Sequence, residues 1–232
     1  MTLQDIYDQL AYGELRLLNL GSGNIDSDGA FPVKSFMKVL PTIQLGLTEL
    51  HKKFLLREGH IHVPLEENKV TYVIKKDHPE DFDENLLKIE RVYGKLDKKP
   101  YEIPLNRIGN KEAVRTTSYN TLLVPTDKEE APWLKETNTL HIVYRADHPK
   151  LNKIVAQKAP LVTQIDLPVT YLQALLYFIA SRMHNPVGMN KEFHEGNNYA
   201  AKYETELAYL QMMNYQIDSD SDDDRIIDSG WV

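Results

Sequence analysis

Two histidines separated by one residue, His60 and His62, are the strongest chemical signal in the chain. Residues two apart in a strand face the same way, so both imidazoles would stand on one side of a sheet. Such a pair offers two nitrogen donors to a metal, and His51 or Glu58 could serve as a third ligand. A soluble metal-dependent enzyme could be built on that edge. The spacing supplies no third ligand by itself, so the plain expectation is a partly exposed, hydrogen-bonded edge with no metal. A second group, Arg182, His184 and Glu195, has the residue types of acid–base chemistry. Polar residues at a turn between helices more often cap ends or pair across a subunit boundary. GSGN at 21–24 is the only glycine-rich run, and a phosphate cradle needs a strand before it and a helix after it. Here a helical pattern precedes it and Asp26 and Asp28 follow, so it reads as a loop. The segment also lacks the length and closing glutamate of a calcium loop. No nucleophile elbow, zinc-protease helix or lysine-bearing Walker loop occurs. The expectation is a protein without catalytic residues, metal or cofactor, and not an enzyme.

The chain of 232 residues is 42% hydrophobic, enough to build a real core. Its net charge of −7 argues against general affinity for nucleic acid, which needs a clustered basic surface. Six aspartates fall between Asp218 and Asp228, with only Arg225 against them, so the remainder is close to neutral. With no cysteine there is no disulfide, thiolate nucleophile or cysteine metal site. The opening MTLQDIYDQLAYGE is amphipathic and acidic, unlike a signal peptide. No apolar run reaches the roughly 20 residues that span a bilayer. A soluble protein made in the cytoplasm, with no membrane partner, is expected.

The elements that would position these groups follow from periodicity. Thr2 is placed to cap a helix carrying Leu3, Ile6, Tyr7 and Leu10, and Leu15, Leu17, Leu18 and Leu20 extend its apolar face. GSGNIDSDGAFP breaks the pattern. A second helix is predicted from Pro32, with Val33, Phe36, Met37, Leu40, Ile43, Leu47, Leu50 and Phe54 in one stripe. Pro41 predicts a kink and Gly59 a C-cap. From His60 the pattern becomes HIHVPL, KVTYVIKK, LLKIERVYGKL, YEIPLNR, NTLLVP and TLHIVYRA, which reads as five to seven strands. Short helical turns are predicted at 80–87 and 110–116. Helical spacing returns in LPVTYLQALLYFIASRMHNP and NNYAAKYETELAYLQMMNYQ.

The order helices, strands, helices predicts an α+β fold. A helical bundle from residues 1–59 and 167–217 would be interrupted by a β-rich insertion at 60–166 and followed by an acidic arm at 218–232. Leu172, Leu175, Leu176, Ile179 and Met183 form the predicted buried face of the third helix. Tyr171, Tyr177 and Phe178 broaden that face. Tyr199, Tyr203, Leu207, Leu210 and Met213 line one side of the fourth helix, with Tyr209, Met212 and Tyr215 elsewhere. Met and Tyr at such positions are common in plain cores. Tyr171, Tyr177, Phe178, Tyr209, Met212 and Tyr215 are equally candidate contacts between subunits, where amphipathic aromatics supply area at low entropy cost. In the arm, Asp218, Asp220, Asp222, Asp223, Asp224 and Arg225 precede Ile226, Ile227, Trp231 and Val232. An acidic spacer ending in large apolar side chains suits an anchor that orders on a partner. Plain solubility is the simpler reading of these aspartates, and a cellular adaptor recruiting a basic partner through this tail is a further one.

LPVTYLQALLYFIASRMHNPVGM, EGNNY and YAAKYETELAYL resemble the C-terminal helices of tailed-phage head-to-tail adaptors, also called tail tubular or neck ring proteins. LLKIERVYG, PLNR, TTSYNTLLVP and TLHIVYRADHP extend the resemblance upstream, over most of the chain. The resemblance implies a structural bacteriophage virion protein at the portal–tail junction, forming a ring, a dodecamer, with copies of itself. The helices would pack beside their neighbours, and the β-rich insertion would face the downstream tail or nozzle protein. The C-terminal segment would bind the portal protein. Genome DNA would pass through the lumen during ejection without sequence-specific binding, and a net charge of −7 per subunit suits a conduit.

Overall fold

The structure, a computed structural model, describes residues 1–18, 33–75, 82, 84–152, 162–184 and 191–213. Among these residues the fold is α+β, with four helices and two antiparallel sheets. Helix α1 (Leu3–Tyr12) begins with a reciprocal cap. The Asp5 amide donates to Thr2 Oγ1 at 3.2 Å, and the Thr2 amide donates to Asp5 Oδ2 at 2.8 Å. Those bonds favour the carboxylate and hold the Asp5 pKa below its usual value. The helix stops sooner than the leucine pattern implies. Gly13 ends it, its amide bonded to the Gln9 carbonyl at 2.8 Å, and a short 3-10 turn at Arg16–Leu18 follows while Leu15 stays buried. Glycine gives up helix propensity there, which outweighs the continuing apolar spacing.

Helix α2 (Val33–Lys53) runs through Pro41, and Leu40, Ile43, Leu47 and Leu50 are buried along it, with Phe54 just beyond its end. Gly59 does not cap it. Gly59 lies within strand β1 (Glu58–Pro64) opposite Tyr144, where an added Cβ would fall 2.2 Å from the tyrosine Cζ. The glycine is needed for close approach of that ring. Helix α3 (Leu172–Met183) follows a 3-10 turn at Val169–Tyr171, and helix α4 (Lys191–Met212) begins six residues before the predicted NNYAA start. One core joins Leu3, Ile6 and Leu10 of α1 with Ile43 and Leu47 of α2, Leu175 and Ile179 of α3, and Leu207 and Leu210 of α4. Its closure is reinforced where the Leu3 amide donates to the Thr163 carbonyl and the Ile165 amide to the Met1 carbonyl, each at 2.9 Å.

The remaining strands are β2 (Thr71–Val73), β3 (Leu86–Leu96), β4 (Lys99–Ile103), β5 (Arg115–Ser118), β6 (Thr121–Leu123) and β7 (Thr139–Ala146). They form one sheet in the order β1-β7-β3-β4 and a second in the order β2-β6-β5. The segment expected to hold a helical turn at 110–116 instead leads into β5. Its end, Arg115 and the β-branched Thr116, pairs with Leu123 and Leu122 of β6. Of the turn expected at 80–87, Leu86 and Leu87 belong to β3. Asp97 and Lys98, with φ of 51° and 61°, make the two-residue hairpin between β3 and β4. The sheets bury Ile61, Val92, Leu140 and Ile142 from the first with Tyr72 and Leu122 from the second, around the fully buried Trp133. Trp133 keeps its indole N–H satisfied by the Glu112 carbonyl at 3.1 Å.

The helical and β cores meet along α2 and the end of β7. Thr48 Oγ1 donates to Asp147 Oδ2 at 3.1 Å, and Arg145 Nη1 donates to the Lys52 carbonyl at 2.7 Å, placing a cation at the negative end of α2. His51 and His148 lie edge to face at this junction, ring centroids 5.5 Å apart, and are 1% and 2% exposed.

Candidate functional site

The alternation of β1 turns Ile61 and Val63 into the β core and leaves His60 and His62 on the outer face. In β7 the neighbours Leu140 and Ile142 are inward, so His141 shares that outer face and sits directly opposite His62. The three rings touch. His60 Nδ1 and His141 Nε2 are 3.1 Å apart, one donating to the other, and His62 stacks on His141 with centroids 4.8 Å apart and planes 8° from parallel. Tyr93 of β3 approaches the same His141 ring from the other side, centroids 6.1 Å apart. Burial first, and then the neighbouring His62 and His60, hold the His141 pKa below its ordinary value, which favours a neutral ring.

The two residues considered as a third ligand are otherwise engaged. His51 is buried, its Nδ1–H donating to the Leu47 carbonyl at 2.8 Å. Glu58 is paired with Arg91 at 2.9 Å. His141 lies 81 positions from His60 and carries no local motif, so spacing did not single it out. The alternation in TLHIVYRA, with Leu140 and Ile142 flanking it, was the available signal that it faces outward. Among the described residues no set of three or more histidine or carboxylate side chains converges as a metal cage.

Of the Arg182, His184 and Glu195 group, the two described side chains turn to different partners. Arg182 lies over the Phe178 ring at 5.4 Å, whereas His184 Nε2–H donates to the Glu14 carbonyl at 2.8 Å and stacks on Tyr199. His184 thus ties the end of α3 to the chain after α1. The Glu195 side chain and GSGN lie outside the described residues. A cleft of about 400 Å³ beside Lys52, Lys88, Arg145, Thr116 and Ser118 resembles an anion pocket in composition. Its cations are already matched: Lys52 by Glu49, and Lys88 and Arg145 by Glu90.

The candidate subunit contacts divide in two. Tyr171 and Phe178 are 2% and 4% exposed, packed against Phe54 and Tyr203 respectively, so they serve the helical core and not an outer surface. The apolar wrap of α3 that suggested a second partner is used up by α1, α2 and α4. Tyr177 is half-buried, packed beside Tyr199 and below Lys202. Tyr209 and Met212 remain on the outside, 45% and 73% exposed, and Met213, expected on the side of Leu207 and Leu210, is 46% exposed because the helix ends at Met212. Tyr215 and the whole arm, including Asp218, Asp220, Asp222, Asp223, Asp224, Arg225, Ile226, Ile227, Trp231 and Val232, lie outside the described residues. No helix among the described residues is long and apolar enough to cross a membrane. No protein-family model and no curated protein matches the chain.

Proposed function

We propose that this chain is a ring-forming adaptor of a phage-like virion, joining portal to tail through contacts between copies and through its C-terminal arm. The observation that carries the reading is the end of α4. Tyr209 and Met212 face solvent there, with Met213 just beyond, on a helix whose other side is committed to the core by Tyr203, Leu207 and Leu210. A large thioether and phenol surface at a helix end, immediately before an acidic segment with terminal Ile226, Ile227 and Trp231, suits a protein whose final contacts are made with others. The splicing of a β core between helices from both ends of the chain is also what the resemblance implies. Ring closure would couple many modest contacts, so that assembly becomes effectively irreversible only when all are made.

Native mass spectrometry of the full chain, alone and mixed with the portal protein from the same virus, tests this. The expected result is a portal-bound ring of matching symmetry. A chain that ignores the portal under all assembly conditions would overturn the reading. Truncation after Gln216 should leave a folded protein that fails to join the portal, and normal incorporation of that truncated chain would remove the arm from the mechanism.

A further inference from the structure

We propose that His60 and His141 form a surface site for a borderline divalent transition metal of the Zn²⁺, Ni²⁺ or Cu²⁺ class. The inference is independent of the adaptor reading and rests on the outer face of the β1–β7 pair. The two nitrogens lie 3.1 Å apart. Metal–imidazole bonds are about 2.0–2.1 Å, so one ion bound to both would subtend an angle of about 100° between them. That falls between the right angle of octahedral or square coordination and the tetrahedral angle. The nitrogen spacing is therefore that of two adjacent ligands, and each ring need only turn from the hydrogen-bond line toward the ion.

Its surroundings fit the same chemistry. His62 lies flat on His141 and Tyr93 flanks it, so the His141 ring is held in plane by contacts that need not touch the ion. His62 is thus a positioning residue. Strand pairing fixes the backbone on both sides, with His60 opposite Val143 and His141 opposite His62. His60 is exposed, so an ion can enter from solvent, and water or a donor from a neighbouring protein would fill its remaining positions. On binding, the ring that donates in the metal-free pair shifts that proton through solvent to its other nitrogen. Both facing nitrogens then present lone pairs, and neither ring changes charge. Imidazole donors select borderline ions, whereas Mg²⁺ and Ca²⁺ prefer oxygen and should bind here weakly.

The test is calorimetric titration of the full chain, stripped with chelator, with ZnCl₂ and NiCl₂ in excess MgCl₂. One saturable equivalent per chain is expected. His60→Ala and His141→Ala should each weaken it at least about tenfold, since even outer-shell changes act on that scale. His62→Ala should weaken it less. The double variant His60→Ala/His141→Ala measures whatever the aspartate-rich segment binds, and circular dichroism melts of all variants check that these outward-facing substitutions leave the fold intact. Nitrogen-15 spectra of the imidazoles should show metal-dependent shifts at His60 and His141. Absence of saturable binding, or uptake by the double variant equal to that of the parent chain, would overturn the proposal.

Discussion

The helical core and the β core are built from opposite kinds of sequence. Leu3, Ile43, Ile179 and Leu207 meet in one cluster although they span almost the whole chain. The β core takes its buried residues from one continuous stretch, Ile61 to Ala146. Both bury aliphatic side chains to similar completeness, so burial alone does not distinguish them. What differs is how much chain must be in place before each core can exist. The helical core depends on both ends being present together, while the β core can be satisfied locally once residues 58–146 are available.

Substitutions can break this comparison. The largest effect is expected from Trp133→Ala, which empties the centre of the β core and removes an indole N–H bond; such truncations cost about 3–5 kcal/mol. Site-resolved hydrogen exchange should then lose protection in β1, β3 and β7 while α3 keeps its own. Equal loss in α3 would mean that the two cores unfold as one unit. Gly59→Ala should be next, at about 1–3 kcal/mol, because the new methyl collides with the Tyr144 ring. Pairing the substitution with Tyr144→Leu should recover part of the loss, measured by urea midpoint.

Acid should act at the junction between the cores. Burial holds the pKa values of both His51 and His148 below the ordinary 6.5, against the raising effect of the backbone carbonyls that accept from their Nδ1–H groups. Neither Nε2 meets a protein partner among the described residues. The unfolded chain therefore binds more protons than the folded one as pH drops past that value, and the stability present above it is progressively lost. The urea midpoint should fall on going from about pH 7.5 to about pH 5.5, and His148→Gln should shrink that dependence. A flat profile would mean that the pair is not held neutral. The smallest effect is expected from Glu58→Gln. Its ion pair with Arg91 is partly exposed, so the cost should stay below about 1 kcal/mol by the same assay.

Much of the fold was legible because periodicity is a local property. Leu86–Leu96 is the strand that LLKIERVYGKL implies, and Leu40, Ile43, Leu47 and Leu50 fall on the expected stripe. Boundaries were less legible where a single residue decides. Gly13 ends α1 despite continuing leucines, and Gly59 looked like a helix stop until Tyr144 supplied its purpose. The histidine face was half legible: His60 and His62 follow from spacing in one strand, but His141 arrives through strand pairing, a long-range choice. The wide apolar girth of α3 was correctly seen, yet its meaning depended on how many neighbours the helix has within its own chain. Phe178 and Tyr171, which broaden the predicted buried face and are candidate subunit contacts, are taken up by the core of their own chain.

The interruption of the helical core has a consequence in time. During synthesis α1 and α2 leave the ribosome first, but α3, the helix that packs against both, begins only at Leu172. At about 5–20 residues per second, the chain between Lys53 and Leu172 takes roughly 6–24 seconds to appear. Strands β1 to β7 can pair within that interval, while Leu3, Ile6, Ile43 and Leu47 still lack their partners from α3 and α4. The first helices made are thus among the last to be buried, and a nascent chain exposes its N-terminal leucines and isoleucines to whatever holds unfinished proteins in the cell.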